Sequence, residues 1–264
     1  TPERKFNEKG PLDLRLGTSL KANLCTTCGF DLAECVGHFG HIDLPLPVYH
    51  VGYFKTTLRI YSSICKTCSR VLLTPKEKDK YKKELKENKL LGKYKVRKLV
   101  KEISSKCAKV VICYFCGNKN GSAIKAPKYY GILHRRNRRK KLSDNEIDLQ
   151  DFKKSIEMNP ELQKYIKSGT ENPNPLDILN LFKRVPSYDL EYLNIDANRP
   201  EGFELNFRLD LLIRKLLVPP SCMRPTVNVD DSRSQEDDLT VKIRELVKIS
   251  NTIKQNMIKG NITA

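Results

Sequence analysis

The cysteines of this chain occur in short pairs whose spacing suits a metal ion. Cys25 and Cys28 are separated by two residues, and Cys35 and His38 have the same separation a little further along the chain. Zinc prefers four thiolate or imidazole ligands in a tetrahedron, and a two-residue gap lets two side chains of one tight turn reach the same ion. Gly29 supplies the backbone freedom that such a turn needs. The spacing therefore predicts one structural zinc site with these four ligands.

A second zinc site is predicted to begin at Cys65 and Cys68, which have the same two-residue gap. Three later cysteines are candidates for its remaining two ligands: Cys107, Cys113 and Cys116. Two ligands with a two-residue gap on one tight turn form a zinc knuckle. Cys113 and Cys116 have this spacing and are followed by a glycine, so this pair is favoured. Cys107 stays open as an alternate ligand.

The other histidines and cysteines have simpler interpretations. His41 competes with His38 for the first site, but only His38 completes a knuckle. His41 and His50 are therefore interpreted as packing or surface side chains. Cys107, if it is not a ligand, and Cys222 are expected to be spare thiols that behave as small buried hydrophobic groups.

Four protein ligands at each zinc leave no coordination position for water, which argues against a zinc hydrolase. Structural zinc of this kind contributes about 10–16 kcal/mol of binding free energy to folding. The sequence contains no Ser/His/Asp set, no phosphate-binding glycine loop and no clear acid/base pair, so no catalytic residue is predicted in this fragment. Knuckle spacing, together with the absence of a signal peptide and of a membrane-length apolar run, favours metal over disulfides.

The composition indicates a basic protein that meets a polyanion. The 264 residues carry a formal net charge of +18, with 39% hydrophobic and 30% charged residues and no Trp. Such a charge favours nucleic acid as the partner, although lysine that merely decorates solvated faces is an equally simple explanation of charge alone. The chain starts at Thr1 without Met, which suggests a piece of a longer polypeptide.

The elements that must position these ligands give an α+β fold that is mainly helical. The stretch from Gly17 to Cys68 is rich in Gly, Pro and Cys and predicts irregular loops and short strands rather than long helices. Thr74 and Pro75 are typical of a helix start, and a second helix is expected after Gly92. These two surface helices form an excursion between the halves of the second zinc site.

The second half of the chain is predicted to be mostly helical. Helices are expected after Ser143 and after Asn174, because each residue precedes a capping signature, and Phe203 to Leu209 alternates as a strand does. The stretch from Lys119 to Lys141 is basic and free of acids, which predicts a basic loop. A last helix is predicted to end at Gly260. The segments thus predicted are 1–72 with the first zinc site and half of the second, 73–112 as the helical excursion, 113–142 with the second knuckle and basic loop, 143–227 as a helical core with one strand, 228–238 as a loop, and 239–264 as the last helix.

Several motifs resemble the largest subunit of the multisubunit DNA-directed RNA polymerases. They include the segment from Leu12 to Gly17, the two halves of the first knuckle with the Gly-His-Phe-Gly-His tail, Pro47 to Phe54, and Val218 to Val227. Among the nuclear enzymes, RNA polymerase III is the most similar, through Ile64 to Cys68, Cys113 to Gly121 and Leu181 to Pro186. The resemblance covers nearly the whole chain.

This resemblance implies a role as the clamp, the zinc-stabilised mobile jaw that closes over DNA and the DNA–RNA hybrid during transcription. The fold would be a mainly helical clamp module with zinc-stabilised loops and a few short strands, and residues 228–238 would correspond to the lid. Two structural Zn²⁺ are expected, with Mg²⁺ only in the full-length subunit, beyond Ala264. Other subunits, including the second-largest, would be partners; the location would be the nucleus and no membrane is involved. Arg233, with Arg135, Arg136, Arg138 and Arg139, is expected to contact nucleic acid.

Two other classes of protein fit the sequence less well. A free-standing zinc adaptor for nucleic acid or protein is the first alternative. A cross-braced ubiquitin-ligase domain would interleave its ligand pairs, whereas the first site here is contiguous in sequence. The zinc hydrolase is the other alternative, and four-ligand sites oppose it.

Overall fold

A computed structural model describes residues 6–19, 23–127, 129–135, 157–159, 170–193, 211–230 and 233–260 of this chain. It is a mixture of helices and short strands, so the α+β class is confirmed. The chain forms two compact units, one made of Thr1–Pro47 with Arg214–Ala264 and the other of Val48–Ile213. The first unit is therefore discontinuous in sequence, and the second is one continuous stretch.

The discontinuous unit contains strands and one long helix. β1 (Gly40–Tyr49) pairs with β5 (Leu212–Val218), and the boundary between the units passes through both strands. β6 (Val227–Asp230) and β7 (Arg233–Gln235) form an antiparallel hairpin. The helix α5 (Asp238–Ile258) follows, and its N-cap Asp237 accepts a hydrogen bond from the backbone N–H of Leu239 at 2.8 Å.

A small apolar cluster holds this unit together. Leu16, Val218 and Ile243 are buried against one another, with Ile42 and Val247 packed at the edge. The short 3-10 helix Leu14–Leu16, strands β1 and β5 and helix α5 thus meet at one core. Burial of such side chains typically contributes about 1.5–3 kcal/mol each.

The continuous unit is built on helices. α1 (Phe54–Ser63), α2 (Pro75–Leu91), α3 (Lys93–Cys107) and α4 (Pro175–Lys183) are its described α-helices. The predicted starts at Thr74 and Asn174 are confirmed, because both residues form capping boxes and both helices have Pro in the first turn. Gly92, with φ of 113°, separates α2 from α3 as expected.

The strands of this unit form a small antiparallel sheet in the order β2–β3–β4. β2 is Ser122–Lys125, β3 is Ile132–Arg135 and β4 is Thr170–Glu171. Buried apolar side chains from all four helices make one core, among them Phe54, Ile60, Leu85, Val100, Ile103, Ile178 and Phe182. Among the described helices, none combines the length and apolarity that crossing a membrane requires.

The expectation of irregular loops and only short strands from Gly17 to Cys68 was wrong in two places. β1 spans 10 residues although it contains two prolines. Each strand of a two-stranded sheet has one unpaired edge, and a proline whose missing N–H faces that edge costs no hydrogen bond. α1 forms despite its threonines and serines, because Phe54, Ile60 and Tyr61 are buried on its inner face. Tertiary packing overrides weak local propensity here.

The other expectations concern the later part of the chain. In the segment 228–238, predicted as a lid-like loop, residues 228–230 lie in β6 and residues 233–235 in β7, these strands pair with each other, and Asp238 begins α5. The last helix was predicted correctly and ends at Ile258, just before Gly260. The helix expected after Ser143, the strand from Phe203 to Leu209, and the arginines at positions 136, 138 and 139 lie outside the described residues.

Candidate metal centres

The four predicted ligands of the first site lie together in space. One ligand atom from each of Cys25, Cys28, Cys35 and His38 lies within 4.8 Å of the other three. His38 directs Nε2 at the group, 3.7 Å from Cys35 Sγ. Three thiols and one imidazole this close together form a donor set that suits zinc. That this cluster holds a zinc ion remains a prediction.

The second cluster consists of four thiols. The Sγ atoms of Cys65, Cys68, Cys113 and Cys116 lie within 4.8 Å of one another. Across the two knuckles, Cys65 is 3.5 Å from Cys116 and Cys68 is 3.7 Å from Cys113. Both clusters of the described residues could therefore hold a metal ion, and the soft thiolate set favours zinc.

The Cys-x2-Cys knuckles share one backbone design. In each, the N–H of the first cysteine donates to the carbonyl five residues ahead, at 2.9 Å in all three knuckles. The N–H of the residue after the second cysteine donates back to the first cysteine's carbonyl. This residue is Gly29, Ser69 or Gly117, and its φ is 77°, 60° or 70° respectively. The turn thus requires a left-handed residue at one fixed position.

The Cys35–His38 pair requires a glycine for a different reason. Gly37 has φ of 83°, and a Cβ atom there would lie 2.6 Å from Cβ of Pro220. The Pro219–Pro220 segment of the same unit therefore packs directly against this half of the first cluster. The N–H of His38 also donates to the carbonyl of Leu16 at 3.2 Å, which fixes the ligand to the unit's small core.

Asn120 joins the two halves of the second cluster, a role that the sequence did not reveal. Its Oδ1 accepts from the N–H of Lys66 in the first knuckle at 3.1 Å, and its Nδ2 donates to the carbonyl of Asn118 at 3.3 Å. The side chain is 1% exposed. Buried amides are satisfied by such bonds, so Asn120 fixes one knuckle relative to the other. Its position four residues after Cys116 was the available signal.

A buried ion pair lies behind the same cluster. Asp189 is fully buried and accepts from Lys78 Nζ at 2.5 Å and from the N–H of Val71 at 3.0 Å. Lys78 Nζ also lies 4.9 Å from the ring centre of Phe115, a residue that stands between Cys113 and Cys116 in the sequence. The pair therefore touches residues next to both knuckles. No local sequence pattern indicates it, because Lys78 and Asp189 are far apart along the chain.

The first cysteine of each cluster ionises more readily than an ordinary thiol. Burial opposes ionisation of Cys25, but N–H groups of its knuckle outweigh it and lower the pKa to about 6. Cys65 has the same balance and a pKa of about 7. In both, the N–H two residues ahead lies 3.4 Å from the sulfur. Burial raises the pKa of Cys68 to about 12, so the metal-free cluster would not ionise fully.

The remaining thiols lie outside both clusters. Cys107 is fully buried in the core of the continuous unit, and burial raises its pKa to about 12. Its expected character as a small buried group is confirmed. Cys222 is exposed, so the same expectation was wrong for it: it sits on the turn after Pro220, with Sγ 3.5 Å from the carbonyl of Val36.

The two leftover histidines make local contacts. His50 Nδ1 accepts from the N–H of Gly52 at 3.1 Å, and His41 Nε2 lies 3.7 Å from Asp43. Neither belongs to a described ligand cluster. Of the arginines expected to meet nucleic acid, Arg135 is exposed at the end of β3 and Arg233 lies in β7.

Comparison with known proteins identifies the family. The chain matches the family "RNA polymerase Rpb1, domain 1" over residues 2–263. It therefore belongs to that family, and the predicted resemblance to the polymerase largest subunit is confirmed.

Several of its relatives are subunits of RNA polymerase III. It is 42% identical to DNA-directed RNA polymerase III subunit RPC1 of Homo sapiens over 256 residues, which cover 95% of this chain and 18% of that protein. It is 39% identical to the subunit RPC1 of Saccharomyces cerevisiae over 269 residues, covering 98% of this chain and 18% of that protein. It is 31% identical to subunit Rpo1N of Thermococcus celer, covering 96% of this chain and 24% of that protein. The chain thus spans less than a quarter of the length of these three relatives.

Proposed function

We propose that this chain is the N-terminal clamp portion of the largest subunit of RNA polymerase III. The observation that carries the proposal is the match along almost the whole chain to the Rpb1 domain 1 family, with polymerase III subunits at about 40% identity. In this role the chain closes over DNA and the DNA–RNA hybrid during transcription. It holds and guides nucleic acid, and it acts in the nucleus beside the second-largest and other subunits.

Nucleotidyl transfer belongs to the whole enzyme rather than to this fragment. A phosphoryl-transfer site with Mg²⁺ needs convergent carboxylates. Each cluster found among the described residues is built from cysteines, with one histidine in the first and no carboxylate. We therefore assign Mg²⁺ and catalysis to parts of the full-length subunit that lie outside these 264 residues.

We assign one structural zinc to each cluster. The first is held by Cys25, Cys28, Cys35 and His38, and the second by Cys65, Cys68, Cys113 and Cys116. Each set supplies four ligands, which saturates a tetrahedral ion and leaves no position for a reacting water. The zinc ions thus stabilise a jaw and do not catalyse.

The β6–β7 hairpin corresponds to the lid in this proposal. It lies directly before α5, in the segment where the acids Asp237 and Asp238 occupy the helix start. Asp237 is engaged as the cap of the helix, which leaves Arg233 as the residue of this hairpin that we propose contacts nucleic acid. Arg135, Arg136, Arg138 and Arg139 remain proposed phosphate contacts.

A free-standing zinc adaptor is the alternative function. The clusters use ligands in contiguous order along the chain rather than interleaved pairs, which is unlike a cross-brace. The adaptor hypothesis predicts that the chain acts without polymerase subunits. Co-purification of the tagged chain with the second-largest subunit would support the clamp function. A purified chain that binds no polymerase subunit would contradict the clamp function.

Metal analysis tests the zinc assignment. The purified chain should contain two zinc ions, and Cys113→Ser should reduce this to about one, because the second cluster loses a ligand. Cys107→Ser is the matched control: it changes a thiol of the same unit that is no ligand in this proposal, so two zinc ions should remain. Loss of zinc in the control but not in Cys113→Ser would overturn the choice of ligands.

Nucleic-acid binding tests the clamp function. The zinc-loaded chain should bind duplex DNA weakly, without base preference and with steep salt dependence, because phosphate contacts carry no sequence information. Filter binding to two unrelated duplexes measures both properties. A strong preference for one sequence would contradict the clamp.

A further inference from the structure

The outer face of α3 carries a continuous basic stripe. Tyr94, Arg97, Lys98 and Lys101 follow one another at intervals of three, one and three residues, which places them on one side of a helix. All four are exposed, and Tyr94 is 80% exposed. The opposite side of α3 faces the core through Leu99, Val100 and Ile103. We call these four residues the α3 stripe.

Acidic side chains do not neutralise the α3 stripe. The helix contains six Lys or Arg and a single acid, Glu102. Glu102 accepts a hydrogen bond from Tyr81 of α2 at 3.5 Å, and Lys106 pairs with Glu77 at 2.6 Å. Among the ion pairs of the described residues, none involves a member of the stripe. Its cations are thus left to an external anion.

The neighbouring helix α2 shows the ordinary arrangement of surface lysines. Lys76, Lys80 and Lys83 also lie on one helical face, at intervals of four and three residues, and all are exposed. Acids are interleaved with them, and one forms an ion pair: Glu84 lies 3.7 Å from Lys80. In α3, Glu102 lies four residues after Lys98, but the described ion pairs include none between them. One of these three α2 lysines therefore has an ion-pair partner, whereas no member of the α3 stripe has one among the described ion pairs.

We propose that the α3 stripe binds the phosphodiester backbone of nucleic acid. Like charges on one helix face are destabilising, so such a stripe costs the free chain stability that an anionic partner restores. A protein partner would need a buried apolar centre, and Tyr94 is the stripe's only large apolar side chain. A phosphate backbone requires diffuse cations alone. The proposal rests on the proposed function and adds contact residues other than Arg233 and Arg135.

Salt dependence of DNA binding tests the stripe. The substitutions R97Q, K98Q and K101Q together should lower the slope of log affinity against log salt by about 2.7, since each phosphate contact contributes about 0.9. The control K76Q, K80Q and K83Q removes the same charge at similar spacing and should lower the slope by less than about 1. Fluorescence anisotropy with a labelled duplex measures both. Zinc content and circular dichroism should match the parent in each variant.

The outcomes separate the two proposals. A parent chain that binds duplex, with equal slope losses in the two triple variants or none in either, overturns the stripe and leaves the clamp intact. A parent that binds no duplex overturns the clamp and the stripe together. If the α3 variant binds DNA like the parent but loses binding to polyglutamate, an acidic protein is the partner and the stripe's assignment to nucleic acid is wrong.

Tyr94 gives a second, independent measurement. An exposed ring beside phosphate-binding cations can stack on an unpaired base, so Y94A should weaken single-stranded DNA binding roughly tenfold without changing the salt slope. Y94F keeps the ring and should bind like the parent. Equal weakening by Y94A and Y94F would exclude stacking, because the two changes share only the loss of the hydroxyl and Y94F keeps the ring.

Discussion

At the scale of single residues, Asp189 and Lys78 form the most heavily buried ion pair described in this protein. Side-chain exposure is 0% for Asp189 and 12% for Lys78. Buried charges are tolerated only when they are paired and hydrogen-bonded, and Val71 N–H and Phe115 complete this environment. Since these neighbours lie beside the two knuckles of the second cluster, the pair positions that cluster without being a ligand.

Asp189→Asn should therefore destabilise the second metal site. The change leaves the Lys78 ammonium buried without a countercharge, which typically costs about 3–5 kcal/mol. Zinc release to a chelating dye should become faster from the second site, while release from the first site in the other unit stays unchanged. Glu84→Gln, which breaks the exposed pair with Lys80, is the control and should cost less than about 1 kcal/mol. Equal release rates from parent and Asp189→Asn would refute the positioning role.

The buried thiol of Cys107 predicts a pH effect. Its pKa is raised from 9.0 to about 12, so the folded chain keeps a proton that the unfolded chain loses above pH 9.0. The unfolded state then binds fewer protons, and stability falls as the pH rises, by up to about 1.4 kcal/mol per pH unit. Urea unfolding of the zinc-loaded chain should show this loss between pH 8.5 and 10. Cys107→Ala should lower the free energy of unfolding at all pH values, and its decline between pH 8.5 and 10 should be smaller by about 1 kcal/mol than in the parent. An unchanged decline would mean that Cys107 ionises freely in the folded chain.

At the scale of elements, local signals identified the helices that have clear ends and missed those that packing creates. The starts of α2, α4 and α5 are marked by the cap residues Thr74, Asn174 and Asp237, because a cap satisfies N–H groups that the first turn of a helix leaves unpaired. α1 has no side-chain cap and β1 contains prolines, so only their burial and pairing explain them. The ligand clusters were predictable from spacing, whereas Asn120 and Asp189 contact the second cluster from positions that no short motif marks.

The capping box of α2 gives a test at this scale. Thr74 Oγ1 accepts from the N–H of Glu77 at 3.4 Å, and the Glu77 carboxylate accepts from the N–H of Thr74 at 2.9 Å. Thr74→Ala should cost about 1 kcal/mol of unfolding free energy, because one helix N–H loses its partner. Thr74→Ser keeps the oxygen and should cost much less. Chemical denaturation of both variants measures the difference, and equal losses would show that the hydroxyl does not stabilise α2.

Ser69 provides a second test, since it holds the left-handed position that glycine occupies in the other two Cys-x2-Cys knuckles. Its φ is 60°, its side chain is fully buried, and its hydroxyl has no hydrogen-bond partner among the described residues. Ser69→Gly should stabilise the second site by about 1 kcal/mol by relieving backbone strain and desolvation together. Gly117→Ser is the converse control, with φ of 70°, and should weaken zinc retention. Slower zinc release in the control than in the parent would contradict this account.

At the scale of the whole molecule, each ligand cluster belongs to a different compact unit. Cys25 to His38 lie in the discontinuous unit, and Cys65 to Cys116 lie in the continuous one. Each unit also has its own apolar cluster. Since a structural metal ion contributes to the fold that surrounds it, removing a ligand of one cluster should loosen one unit first.

Hydrogen exchange on single-ligand variants tests this independence. Cys28→Ser should raise amide exchange in β1 and α5, and Cys116→Ser should raise it in α2 and α3, because each substitution empties one cluster. The two variants serve as controls for each other. Increased exchange throughout the chain in either variant would show that the units unfold as one.

The discontinuity of the first unit also bears on the order in which the protein matures. Residues 1–47 are synthesised before the continuous unit, but their partners in strand β5 and helix α5 follow only after that whole unit. Domains generally fold as units during synthesis. The second cluster can thus assemble on the nascent chain before the elements that complete the unit of the first cluster have been synthesised.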